Sequence, residues 1–439
     1  MTLVSTPAVA GPARKKLQGY EFYREVLGSP KFIVAPMVDQ SELAWRKLSR
    51  RYGAQLVYTP MINAKMFAAD NRKAYREQQF NTEFGEEGGP EDRPLFVQFC
   101  ANDPEQLLAS AKVVEPHCDA IDINLGCPQE IAKKGHYGAF LQDDWDLIYR
   151  LINTLHTNLS IPVTAKFRVF PSVEKTVAYA QMLERAGAQI LTCHGRLREQ
   201  RGHNTGLADW AQIRAVKQAV SVPVFANGNI LYHADLQRCL DATGADGVMS
   251  AEGQLYNAAL FAASSTPGET GAHPRHADLA LEYLALVGAQ RTPTPPGAVK
   301  GHLFKLMRPA LARETDLRDR LGRVRGAPGK DKGWAAALEE YVAIAEEMKR
   351  RMDRDAEGGN AGGEGLPHWV AQPYFRPLPV ETVEKEKGVV KQEAGAKRAH
   401  SARTPEPSAD DQLKRVKLDV VDALDPPPDP GAMPASVCV

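Results

Sequence analysis

The chain has 439 residues, 43% hydrophobic and 25% charged, and its 54 basic residues are balanced by 54 acidic ones. That length exceeds what one hydrophobic core needs, so two folded units, or one with extensions, are expected. A net charge of zero excludes a uniformly basic nucleic-acid coat while leaving local patches open, and the lack of a long apolar run excludes a membrane-spanning helix.

The first residues carry no charged stretch followed by a long apolar one, so no secretory signal is expected and a cytoplasmic or nuclear location is. Six cysteines, Cys100, Cys118, Cys127, Cys193, Cys239 and Cys438, include no Cys-x-x-Cys pair, which removes zinc-ribbon and thioredoxin-type readings. Reduced thiols fit that location.

Residues 1–30 read as an N-terminal extension. From 31 to 265 one rhythm repeats: a short β-branched apolar run, a polar or glycine-bearing loop, then a helical pattern. The expected strands are Phe32–Ala35, Gln55–Tyr58, Leu95–Phe99, Ala120–Asn124, Pro162–Lys166, Ile190–His194, Val224–Asn227 and Gly247–Met249. Their continuous apolar character suits strands buried on both faces of a parallel sheet. Between them, Ser172 can cap a helix that carries Val173, Val177, Ala180 and Leu183 on one face and stops at Gly187, while Ala44, Leu48 and Tyr52 share a face before Gly53. Eight strands alternating with helices fit a closed (β/α)8 TIM barrel better than an open doubly wound sheet. The acidic, glycine-rich stretch Asn81–Pro94 reads as a surface insertion. Beyond Pro267, Ala277–Val287, Ala298–Ala312 and Trp334–Arg351 have helical spacing without strands, giving a small all-helical domain over 275–354. From 355 to 439 a mostly disordered tail is expected, with Leu366–Pro377 packing back through Trp369, Tyr374 and Phe375.

A barrel assembles its active site at the carboxyl ends of its strands. Those ends carry Pro36-Met37-Val38, Gln98, Asn124 to Pro128, Lys166-Phe167-Arg168, His194-Gly195-Arg196, Asn227-Gly228-Asn229 and Ser250 to Gly253. The histidines are too scattered for a metal site, and no Gly-x-Gly-x-x-Gly follows a strand. Glycines after the seventh and eighth strands, with backbone N–H groups and a helix start, point to a phosphorylated ligand. Lys166 ends an apolar strand and needs a negative partner there; a ring that becomes anionic on reduction would serve, as would a Schiff-base role. His194 can hydrogen-bond the same ligand. Cys127, on a tight rim loop between Gly126 and Pro128, is the thiol placed for chemistry, while Cys100, Cys118, Cys193 and Cys239 read as small core hydrophobes. Spacing alone does not separate a thiolate nucleophile from a proton-donating thiol.

These motifs together resemble the tRNA-dihydrouridine synthases. The likeness runs from Phe32 to Gly253 through APMVDQSELAWR (35–46), RPLFVQFCANDP (93–104), DAIDINLGCPQ (119–129), KFRVFP (166–171), HGR (194–196), PVFANGNI (223–230) and GVMSAEG (247–253). The first motif and GHYGAFLQ (135–142) are similar to the eukaryotic subgroup that acts on D-loop positions 16 and 17. The resemblance implies FMN reduced by NADPH, on a barrel followed by a helical tRNA-binding domain. It implies flavin contacts from Pro36, Met37 and Val38 by backbone and from Gln98, Lys166 and His194. It places Asn227, Gly228, Asn229, Ala251 and Glu252 at the phosphate end, Asn124, Arg168 and Arg196 toward the uracil, and Cys127 as the proton donor to C5 while hydride reaches C6. Where many bacterial members have Gly-Arg-Gly, this chain has Ser250-Ala251-Glu252-Gly253, so the phosphate is expected to lean on N–H groups more than on arginine.

Between Lys300 and Lys332 ten basic residues outnumber four acidic ones, a local charge of +6 in a neutral protein. Such a lobe suits phosphate-backbone binding by counterion release. In the tail, Leu413–Asp419, with Lys414-Arg415-Val416-Lys417 at its centre, resembles a short nuclear import signal that an importin would read. The rival readings are a flavin barrel of the dihydroorotate dehydrogenase class, which would leave the basic lobe unexplained, a non-catalytic tRNA-binding protein, and a Schiff-base aldolase using Lys166.

Overall fold

The computed structural model of this protein describes residues 16–69, 72–264, 271–326, 333–359 and 365–375. The strands are β1 (Phe32–Val34), β2 (Val57–Tyr58), β3 (Ile62–Asn63), β4 (Leu95–Cys100), β5 (Ala120–Leu125), β6 (Val163–Arg168), β7 (Ala188–His194), β8 (Val224–Asn227) and β9 (Gly247–Ser250). Every pairing between them is parallel, in the order β1-β9-β8-β7-β6-β5-β4-β2. A parallel bridge between Ile33 and Leu56 closes the ring, with the Val34 N–H donating to Leu56 O at 3.0 Å. The sheet is therefore a barrel and not the open alternative.

The expected strands are all present, with ends moved by no more than two residues. After the second, a further short strand, β3, pairs with β4 from Ile62. The helices follow their caps. Ser172 Oγ accepts from the Lys175 N–H at 3.2 Å, and Gly187 ends that helix at φ +117°, a left-handed conformation that suits glycine. At the amino end of the barrel the helix Gly19–Glu25 buries Phe22 and Tyr23; Phe22 stacks on Phe96, and the Tyr23 hydroxyl donates to Asp246 O at 3.0 Å.

After the barrel come helices His276–Ala289, Pro296–Leu306, Arg308–Leu311, Thr315–Arg323 and Trp334–Glu357. The expected continuous helix to Ala312 breaks at Met307, because Pro309 cannot supply the N–H that would continue it. The chain then returns through 366–375, where Val370 bridges Arg275 and the Ala371 N–H donates to Pro274 O at 2.8 Å. Residues 376–439, which include the basic motif at Leu413–Asp419, lie outside the described residues. Among the described residues no helix is long and apolar enough to cross a membrane, and no cluster of His, Cys, Asp or Glu is placed to hold a metal.

The helices are joined to the barrel through buried polar groups. Glu42 accepts from the Tyr283 hydroxyl at 2.7 Å and from His302 Nε2 at 3.0 Å, and His302 lies flat on Trp45 with ring centroids 3.9 Å apart. Burial pushes His302 below the ordinary imidazole range, so a neutral ring donates to the Glu42 carboxylate.

The segment Asn81–Pro94 lies at the surface as its composition suggests, but Asn81, Glu87 and Asp92 are buried beneath it. Asp92 is wholly buried and forms a bidentate pair with the equally buried Arg46, at 2.8 and 2.7 Å, while Glu87 reaches the same guanidinium at 3.1 Å. Its glycines permit this, since a Cβ on Gly88 would stand 2.0 Å from His117 O. Glu86 also accepts the Thr292 N–H at 2.6 Å, so the segment straps barrel to helices. Burial pushes the Glu87 carboxyl up while Arg46 pulls it back. Arg46→Ala leaves two carboxylates without their cation. It is expected to cost about 3–5 kcal/mol in equilibrium urea unfolding, whereas the exposed Arg323→Ala should stay within about 0.5 kcal/mol.

Candidate active site

Two groups of side chains meet at the carboxyl ends of the strands. The first is a hydrogen-bonded chain inside the barrel across β4, β5 and β6. The Thr164 hydroxyl donates to Asp122 Oδ1 at 2.6 Å, and Gln98 Nε2 donates to Asp122 Oδ2 at 2.8 Å. Asn124 Nδ2 donates to Gln98 Oε1 at 2.9 Å. Asn124 Oδ1 then accepts the backbone N–H groups of Gly126 and Cys127 at 3.1 and 2.9 Å. Burial pushes the Asp122 carboxyl up to about 6, against hydrogen bonds from Gln98 and Thr164 and the nearby Lys166 charge.

Arg168 holds the same loop from its other side. Its Nε donates to Gly126 O at 2.9 Å, and its Nη1 donates to Leu197 O and Gln200 O at 2.9 and 3.0 Å. At 2% exposure it clamps two rim loops. Lys166 stands in register between Asn124 and Thr192 and is 8% exposed.

Cys127 lies on the tight rim loop expected of it and is 1% exposed, because the segment after it folds back over it: the Ala139 N–H donates to Cys127 O at 3.0 Å, and Cys127 shares a small buried cluster with Cys100, Ala132 and Tyr137, against which Met61 and Phe140 pack. Gly138, at φ +64°, permits this approach, since a Cβ there would stand 2.8 Å from Cys127 O. Burial and the neighbouring Cys127 push the Cys100 thiol far up, which keeps it protonated.

The second group lines a cavity of about 550 Å³ beyond β7, β8 and β9. That size lies within the ordinary range for small-ligand sites. His194, Arg196, Asn227, Gly228, Asn229, Ala251 and Glu252 all border it, as the rim-loop argument expected. Burial, then the charges of Arg168, Lys166 and Arg196, pushes His194 well below its ordinary range. The ring is neutral, and because Arg196 Nη1 can only donate, His194 Nε2 accepts at 3.2 Å and the proton sits on Nδ1. Asn227 Nδ2 donates to Met249 O at 3.0 Å, while its buried Oδ1 has no partner in the protein. Gly228 is required at φ +115°, where a Cβ would lie 2.6 Å from Ala208 Cβ and 3.2 Å from His194 Cδ2. Before β2, Pro36 and Met37 are buried and Val38 half-buried; the Met37 N–H donates to Ser41 Oγ at 2.8 Å.

Sequence reasoning missed several members of this site. Asp122 left a readable trace, a lone acid inside the apolar run Ala120–Leu125. Arg238, on the helix His233–Thr243 and paired with Asp235, gave no trace, yet with Arg196 it borders the cavity. Tyr374 and Phe375 complete the wall from the returning segment, with Arg308 3.6 Å over the Tyr374 ring.

Residues 33–294 match the family model described as Dihydrouridine synthase (Dus). The chain is 49% identical over 378 residues to a mouse tRNA-dihydrouridine(16/17) synthase [NAD(P)(+)]-like protein, covering 85% of this chain and 74% of that one. To the Saccharomyces cerevisiae tRNA-dihydrouridine(16/17) synthase [NAD(P)(+)] it is 46% identical over 417 residues, 92% and 96% of the two chains. A human tRNA-dihydrouridine(20a/20b) synthase [NAD(P)+]-like protein aligns over 233 residues at 37% identity, 52% of this chain and 70% of that one. With the barrel and its rim already in place, the match over more than half its length makes this chain a member of the dihydrouridine synthase family.

Proposed function

We propose that this protein reduces the C5=C6 bond of uridines at positions 16 and 17 of the tRNA D-loop, with FMN as its flavin and NADPH as the reductant. The observation that carries this reading is the length of the likeness. The 16/17 relatives share sequence with the chain across 85% and 92% of it, whereas the 20a/20b relative aligns over 52%. Mapping dihydrouridine in tRNA from cells lacking the protein tests it; loss confined to positions 16 and 17 is expected, and intact dihydrouridine there would overturn it.

The residues present fit a flavin mononucleotide. The cavity combines an orphaned buried acceptor, Asn227 Oδ1, a close approach at Gly228 that no Cβ would allow, and the guanidinium groups of Arg196 and Arg238 for a dianion. His194, Asn229, Ala251 and Glu252 would surround the phosphate and ribityl parts, with Lys166, Gln98 and the Pro36–Val38 backbone toward the ring. When bound, FMN supplies the hydride. Lys166 would favour negative charge at the flavin electrostatically. Uracil's C5=C6 bond is conjugated to the C4 carbonyl, so hydride arriving at C6 places charge toward C5, where the Cys127 thiol would deliver a proton. Asn124 and Arg168 would shape the pyrimidine's space by holding the loop that carries Cys127.

For tRNA, the structure narrows which cations are available. Arg320 is held by Glu340 at 2.6 and 3.0 Å, Lys300 donates to Gly322 O and Val324 O, and Lys305 is buried, so these serve the fold. Arg313, Arg323 and Arg325 are exposed and Arg318 half-buried, which makes them the candidates for backbone phosphate contact, although Arg325 also donates to Gly322 O and Val324 O; Lys330 and Lys332 lie outside the described residues. Reaching a base in a folded loop also requires taking it out of its stack.

Three outcomes are expected. The purified protein should be yellow and lose dihydrouridine formation when stripped of flavin, with recovery on adding FMN; a colourless chain that takes up no FMN would end this reading. Cys127→Ala should retain flavin and NADPH oxidation but slow uridine reduction by about 10²–10⁴-fold, the usual worth of a general acid. Reversing Arg318, Arg323 and Arg325 to Glu should weaken tRNA binding and reduce the slope of log K against log salt by about 2. Binding unchanged by that triple variant would move the RNA surface elsewhere.

A further inference from the structure

We propose that Asp122 is a positioning residue: it fixes the donor–acceptor direction of the hydrogen-bond chain that ends on the Cys127 backbone. The proposal rests on reading Cys127 as the proton donor.

The argument follows from what each group can do. A carboxylate only accepts. Asp122 Oδ1 is taken by the Thr164 hydroxyl and Oδ2 by Gln98 Nε2, so the Gln98 amide must turn its oxygen the other way. That oxygen accepts from Asn124 Nδ2, which leaves Asn124 only its own oxygen for the loop. At the loop, two N–H groups, those of Gly126 and Cys127, need an acceptor and find it there. Both ends thus demand the same orientation of the two amides between them: the carboxylate at one end and the paired N–H groups at the other. An amide can reverse at no cost in shape, so a neutral residue at 122 that donates as well as accepts would let the whole chain turn over. Asn124 would then present its NH2 to the two loop N–H groups, donors against donors, and the loop carrying Cys127 would lose its anchor on that side. Arg168 would still grip Gly126 O, so the loop would shift and not unfold.

The charged and titratable groups facing Asp122 are Lys166 on β6 and the buried Tyr58 on β2, whose phenol burial keeps neutral. With its carboxyl pushed up to about 6, Asp122 becomes a donor as pH falls through that value, and the direction of the chain is lost below it.

The test uses the full chain with its flavin and compares Asp122→Asn and Thr164→Val with wild type. Three quantities are followed: uridine reduction with pH, NADPH oxidation, and backbone amide exchange in the peptide spanning Asn124–Gln129. Asp122→Asn should lower kcat for uridine about tenfold or more with KM little changed. Its pH profile should lose the acid limb near pH 6, and exchange at Gly126 and Cys127 should quicken about tenfold. Thr164→Val removes a hydrogen bond to the carboxylate, so it should move the wild-type acid limb upward by about half a pH unit; this variant decides the matter if Asp122→Asn does not fold. Wild-type kcat and unchanged exchange in Asp122→Asn, or an unmoved limb in Thr164→Val, would overturn the proposal. A wild-type chain that formed no dihydrouridine would instead remove the proposed function, while amide exchange would still decide whether Asp122 orients the loop.

Discussion

A closed parallel barrel admits little water to its interior, so every polar group placed there must find its partner in the protein or in a ligand. Most of the site's geometry follows from that constraint. Asp122, Gln98 and Asn124 satisfy one another and spend what remains on the loop of Cys127. Asn227 satisfies only its Nδ2, against Met249 O, and its buried Oδ1 has no partner in the protein.

The same constraint explains how the barrel and the helices behave as one body. A continuous apolar core runs through both, and buried polar contacts cross it where an interface of separate domains would have water. Glu42, just before the helix Leu43–Arg51, takes donors from two later helices, and Trp45 on that helix stacks on His302. One turn further, Arg46 anchors Asp92 and Glu87, whose segment in turn caps the Thr292 N–H through Glu86. The helix that follows β1 therefore fixes both the strap over the barrel and the later helices.

The barrel was legible because its strands are continuous β-branched runs with polar ends, a pattern that burial on both faces demands. The rim residues were legible because strand ends in this fold have only one use. What sequence did not reveal was pairing at a distance. Ten basic residues between 300 and 332 read as one lobe, but Glu340, distant in sequence, withdraws Arg320, and Lys300 folds onto backbone carbonyls. The acids of Asn81–Pro94 look like solvent-facing charge until Arg46, some forty residues earlier, is placed among them. The tight Gly-Cys-Pro loop around Cys127 gives no hint that Ala139 returns to cover it. The break before Arg308 was present as Pro309, and the continuous apolar pattern around it concealed it.

The cavity wall closes the remaining distance between chain order and site. Arg238 and Arg196 come from the helix after β8 and the loop after β7, and neither occupies the place of the arginine missing from the Ser250–Gly253 motif. A dianion requires positive charge within reach, and it can be supplied from any direction that the cavity leaves open. Tyr374 and Phe375 reach the same cavity only because the chain traverses all the helices and returns, pairing Val370 with Arg275 and placing Tyr374 beneath Arg308. The segment that returns from the helical part is thus part of the cavity wall. A chain cut after the barrel would lose one wall of the cavity along with its helices.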